Sequence, residues 1–151
     1  ARSRFTADMP ALFQRYARIP DRDSLDDACA EPLSELARTG IERFNQGAYY
    51  PAHDALEEAW MQDDGPGRDL YRGILQVGIA YYQIEQGNYR GAVKMLLRVR
   101  QWLSPLPDTC RGVDVRTLRE DVDHAHAALV SLGPERIVDF DRSFFKPIRF
   151  A

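Results

Sequence analysis

The chain has 151 residues, 44% of them apolar and 28% charged, and its 20 basic and 23 acidic side chains leave a net charge of −3. That length and apolar share suit one domain around one core and exclude a disordered chain. No apolar run approaches the roughly 20 residues of a membrane span, the charge balance lacks the basic field of a nucleic-acid binder, and two cysteines, Cys29 and Cys110, make neither a disulfide framework nor a zinc quartet.

The opening residues, Ala1 to Asp8, hold no long apolar stretch, so no signal peptide is expected. Met9, Leu12, Phe13 and Tyr16 predict a short amphipathic helix over 8–19. Ser24 followed by Asp27 reads as a capping-box variant that opens a helix, with Pro32 near its first full turn. Leu33, Leu36, Ala37, Ile41 and Phe44 give that helix an apolar stripe, and Gly47 stops it. Pro51 sits in the first turn of the next helix, which continues through Ala52, Leu56, Ala59 and Trp60. Residues 61–67 are a turn cluster. A helix from about Arg68 to Gln86 is apolar on two adjoining stripes, which places it centrally, and Gly73 and Gly78 within it predict close crossings. After Gly87 a helix covers 89–103, oriented by Val93, Leu96, Leu97, Arg100 and Leu103. The stretch 104–112 is a loop held by Pro105 and Pro107. Asp114 caps a helix over 114–132 with Leu118, Val122, Ala125 and Leu129 inward, and Gly133-Pro134 stops it. A helical turn over 135–139 precedes an apolar, aperiodic strap over 140–151. Strand signals are nearly absent.

Two stretches match at a shift of 40 residues: Gln46-Gly47-x-Tyr49 with Ala52 and Leu56, and Gln86-Gly87-x-Tyr89 with Ala92 and Leu96. Each follows a helix, so each unit is a helical hairpin in which Gly closes the turn, Tyr packs in the mouth and Ala lets the helices touch. The pattern is like the second helix of a tetratricopeptide repeat, whose period is near 34 residues. Two copies do not make a solenoid. The expected fold is all-α: a compact bundle of about five to seven helices built around two helical hairpins, with a C-terminal extended strap, in a single helical domain over 1–151.

The polar residues that break the core pattern lie on two helices. His53 and Glu57 are four apart and share a face with Leu56 and Trp60. Arg68, Arg72, Gln76 and Gln83 follow at steps of four, four and seven along the central helix. The expectation is that the two lines meet in a buried cluster, with Glu57 paired to Arg68 or Arg72 and His53 to Gln76 or Tyr82, because buried polar groups need partners. Three readings stand for it: a structural network fixing helix register, a pocket gripping a carboxylate or phosphate, or a metal or acid–base site. The last is short of ligands, since a catalytic zinc takes three and the H-E-x-x-H pattern is absent. Other candidates are weaker. His124 and His126 point in different directions, Arg90, Lys94 and Arg98 form a solvated basic stripe, and Cys29 reads as a small core residue. The tail aromatics Phe140, Phe144, Phe145 and Phe150 cover either the core or a second subunit, with intrachain packing preferred. Only Lys94 and Lys146 interrupt an all-arginine basic set, a bias that genome composition explains.

The segment Phe44-Asn-x-Gly47-x-Tyr-x-x-Ala-His53-Asp-x-Leu-Glu57-x-x-Trp60, then Arg68-x-x-x-x-Gly73-Ile-Leu-Gln76-Val, then Gly87-Asn88-x-x-Gly91-Ala92, resembles the DUF309 family of small bacterial and archaeal helical proteins. The resemblance covers about 38–103. It implies an all-helical cytoplasmic domain and singles out His53, Glu57, Trp60, Gly73 and Gln76, but supplies no reaction. Asp54 stands where that family usually has Glu, and Gln83 where it often has a second His. The reading is a non-catalytic binding or interaction module. Its candidate binding residues are His53, Glu57, Trp60, Arg68, Arg72 and Gln76, with no catalytic residue, metal ligand or cofactor assigned. A small anion or a protein is its partner, a membrane or nucleic acid is not, and a homodimer stays open. The alternative is a small metal-assisted hydrolase using His53 and Glu57.

Overall fold

Side-chain caps set the first helix boundaries in the computed structural model, which describes residues 21–151. The helix expected over 8–19 lies outside the described residues. Asp21 accepts from Ser24 N at 2.8 Å and opens α1 (Arg22–Cys29). Ser34 accepts from Ala37 N at 3.1 Å and opens α2 (Glu35–Asn45). The single helix expected from Ser24 to Gly47 is therefore two. Pro32 disfavours helix at the residue before it, and Ser34 offers a second N-cap two residues later.

The central elements follow the expected order. They are α3 (Tyr49–Gln62), a 3-10 turn (Pro66–Arg68), α4 (Asp69–Glu85), α5 (Tyr89–Arg98) and the single turn α6 (Arg100–Leu103). Gly47 and Gly87 close the α2–α3 and α4–α5 turns at φ of 80° and 78°, a backbone that side chains other than Gly resist. Helix α4 is the axis, with Leu70, Tyr71, Ile74, Val77, Ala80 and Tyr81 fully buried. Its glycines mark close crossings as expected. A Cβ at Gly73 would lie 2.5 Å from Leu103 Cδ2 in α6, and one at Gly78 would lie 3.3 Å from the Phe44 ring in α2.

The loop over 104–112 differs from expectation, since its end is half of a small antiparallel hairpin. Strands β1 (Thr109–Cys110) and β2 (Val113–Asp114) pair through Arg111 and Gly112, both at positive φ, as a two-residue hairpin turn requires. Asp114 then accepts from Thr117 N at 3.0 Å and opens α7 (Val115–Leu132), which buries Leu118, Val122, Ala125 and Leu129 as expected. Two 3-10 turns follow, Pro134–Asp139 and Arg142–Phe144. The strap is tied down by backbone: Asn45 brackets Ile148 through both of its amide atoms, at 2.7 and 3.0 Å, and Asp114 N donates to Arg149 O at 2.8 Å. Phe140 and Ile148 enter the core, Phe144 and Phe145 pack against it, and Phe150 stays exposed, so the preference for intrachain packing holds for three of the four tail phenylalanines.

The cysteines correct the sequence reading. Cys29 and Cys110 form a disulfide, with Cα atoms 4.4 Å apart across 81 residues of sequence. Arg111 N donating to Cys29 O at 2.7 Å brings the hairpin against the end of α1. A pairing that distant leaves no local trace in the chain. Among the described residues no helix is long and apolar enough to cross a membrane.

Candidate functional site

Helix periodicity decides where the candidate residues fall. Helix α3 buries Ala52, Leu56 and Ala59. His53 and Glu57 each follow a core residue by one position, a rotation of about 100°, so they stand on the border of the buried stripe. The expectation of a buried cluster is overturned accordingly. Gln76 alone is buried, His53, Trp60, Arg68 and Arg72 are half-buried, and Glu57 is exposed. The expected pairings do not form among the described residues. Glu57 makes no ion pair with Arg68 or Arg72, and His53 Nδ1 lies 3.5 Å from its neighbour Asp54 Oδ1, with its ring beside Tyr50.

Four of the six residues nevertheless meet. Glu57, Trp60, Arg72 and Gln76, with Leu75, Ile79 and Met95, line a cavity of about 180 Å³ between α3, α4 and α5. Arg68 stacks on the outer part of the same wall, its guanidinium 4.4 Å from the Trp60 ring centre, and donates to Asp63 O at 3.2 Å. Arg72 lies between two indoles, 4.9 Å from the centre of Trp60 and 4.5 Å from that of Trp102. Contact with the two rings does not use up the N–H donors of the guanidinium, and among the described residues it makes no hydrogen bond or ion pair. Trp60 Nε1 and Gln76 Oε1 are buried without hydrogen-bond partners. The sixth residue, His53, opens instead into an adjoining cavity of about 390 Å³ walled by Tyr49, Tyr50, Tyr82 and Gln83, which shares Ile79 with the first.

The sequence reading missed two arginine environments. The helix expected over 89–103 is divided at Val99 into α5 and α6, and Trp102 of α6 meets Arg72 of α4. Among the described residues Arg111 is the most buried charge, with its side chain 4% exposed. Its Nη1 donates to Asp63 Oδ2 at 2.6 Å and to Tyr71 OH at 2.9 Å, and its Nε donates to Ala28 O at 3.0 Å. Burial works to lower its pKa, yet the bonds to Asp63 and Tyr71 hold it above the usual guanidinium value. Burial also raises Asp69, at the start of α4, and Arg68 and Arg72 pull it partly back. Arg90, Lys94, Arg98 and His124 are exposed as expected. His126 is half-buried, and burial, then Arg100, holds its pKa below 6.5.

Among the described residues no three His, Cys, Asp or Glu side chains gather closely enough to hold an ion, and His53 and Glu57 open into different cavities. Residues 37–95 match the family model described as a domain of unknown function, DUF309, so the resemblance drawn from the sequence holds for the segment that carries the site. An uncharacterized protein of Aquifex aeolicus (strain VF5) is 26% identical over 87 residues, 57% of this chain. The matched stretch spans 26% of that protein's length.

Proposed function

We propose that this chain, DUF309-like over residues 37–95, is a non-catalytic binding module that holds a small anionic ligand in the cavity between α3, α4 and α5. One observation carries the reading: Arg72 is fixed between Trp60 and Trp102 beside a cavity, with no acidic partner among the described residues. A guanidinium so clamped presents its edge donors in a set direction, which suits a carboxylate or phosphate. The apolar residues Leu75, Ile79 and Met95 favour a ligand with a short hydrocarbon body. At about 180 Å³ the cavity falls below the roughly 300–1,000 Å³ of drug-sized sites, so the ligand is small. The walls come from α3 of the first Gln-Gly-x-Tyr hairpin, which we read as tetratricopeptide-like, and from α4 and α5 of the second. Trp60, Arg68, Arg72, Glu57 and Gln76 form the site, with His53 at its neighbour. The hydrolase alternative loses ground, because its two residues do not face one cavity.

Calorimetric titration with isocaproate and with inorganic phosphate tests the reading. Saturable binding of either anion, lost in Arg72→Met, is the expected result. Absence of binding by both, or binding indifferent to Arg72→Met, overturns it.

A further inference from the structure

The cavity holds a second charge besides the one that grips an anion. Glu57 stands on its α3 wall opposite Arg72 on α4, and the two form no ion pair. Beside them Gln76 is 8% exposed and lines the cavity, and its Oε1 has no donor. A carboxylate and a guanidinium that share a cavity without touching leave room for a molecule carrying both complementary charges. The buried amide oxygen adds an unmet demand for a hydrogen-bond donor. Resting on the anion-binding reading above, the geometry points to a zwitterion as the ligand: a free aliphatic amino acid. Its carboxylate meets Arg72, its ammonium meets Glu57 and supplies N–H donors toward Gln76, and its hydrocarbon side chain lies on Leu75, Ile79 and Met95.

An ammonium brings three N–H donors and a full positive charge, so it satisfies a carboxylate and an amide oxygen at once. A simple carboxylic acid uses Arg72 but sets its negative charge in the same cavity as Glu57 and leaves the amide oxygen unmet. A simple amine does the reverse. A residue within a peptide chain offers neither charge, and a chain terminus offers only one, so the site selects the free amino acid over protein ends.

The test is a calorimetric comparison of L-leucine, isocaproate and isoamylamine on the full chain and on two variants. Leucine should bind at least tenfold more tightly than either single-charge analogue. Glu57→Gln should bring leucine down to the affinity of isocaproate, and Arg72→Met should bring it down to that of isoamylamine. Glu57 is exposed, so its variant keeps the fold, and unchanged far-ultraviolet circular dichroism checks both proteins. Isocaproate binding as tightly as leucine, with Glu57→Gln silent, overturns the zwitterion and leaves the anion site standing. If none of the three binds and phosphate also fails, both readings fall together.

Discussion

Arg111 brings a full charge into the interior, and its surroundings account for it donor by donor. Ala28 O, Tyr71 OH and Asp63 each take one of its N–H groups, and Glu31 reaches the remaining nitrogen from solvent at 3.4 Å. Removing the guanidinium takes the charged partner from Asp63 and a donor from the Tyr71 hydroxyl, which keep only the backbone N–H groups of Gly65 and Ser34. Arg111→Met should therefore lose about 3 kcal/mol in urea denaturation, within the range for a buried pair broken on one side. Arg111→Lys should recover less than half of that loss, because one ammonium cannot reach three acceptors spread around a plane. The same contrast explains what the chain revealed about its site. The four-residue steps of Arg68, Arg72 and Gln76, and of His53 and Glu57, are local, and they brought most of the cavity wall into view. What they could not give was depth, since a shift of one position separates a core residue from a border residue. Trp102 and Arg111 owe their roles to contacts with residues far along the chain, and nothing beside them in sequence marks it.

Helix ends were legible wherever one residue both starts or stops the helix and has no rival. Asp114, Gly133, Gly47 and Gly87 fall in this class. Between 24 and 47 two signals competed, and the proline with the following serine won over the continuous apolar stripe. The hairpin of β1 and β2 was invisible because two-residue strands are too short to show alternation, and Arg111 at its turn is an unusual residue for positive φ. The α4 glycines offer the sharpest test of element packing. Alanine gains about 1 kcal/mol of helix propensity at either position. At Gly73 the new methyl would lie 2.5 Å from Leu103 Cδ2, and Leu103 is itself 1% exposed with nowhere to retreat. Overpacking of about 1–3 kcal/mol outweighs the propensity gain there. At Gly78 the nearest atoms are at 3.3 Å, so the terms nearly cancel. Thermal melts should therefore show Gly73→Ala clearly below the parent and Gly78→Ala close to it. A Gly73→Ala protein as stable as the parent would mean that α6 does not press on α4.

At the scale of the whole molecule, the disulfide and the strap both act on the first and last segments of the described residues. Helix α1 is short, buries Leu25, Ala28 and Cys29, and meets the rest mainly through the hairpin and the 3-10 turn before α4. The strap returns to the same hairpin through Arg149 O and Gly112 O. The Cys29–Cys110 bond thus closes a loop of 81 residues that contains α2 through α6. Crosslinking a loop of that size removes about 4.5 kcal/mol of entropy from the unfolded chain in the simple loop-closure treatment. Urea midpoints compared for oxidised protein, reduced protein and the Cys29→Ser/Cys110→Ser double variant should show the latter two coinciding and less stable by about that amount. Access adds a kinetic side to the same measurement. Cys110 is fully buried and Cys29 nearly so, which means a dithiol reductant must wait for α1 to lift before thiolate attack can occur. Reduction in native buffer should then be slower than in urea and should accelerate in the Arg111→Met variant, where the bonds from that side chain to Ala28 and Asp63 are gone. Equal rates in native buffer for parent and variant would show that Arg111 does not hold α1 in place, and the stability comparison would have to be explained by the crosslink alone.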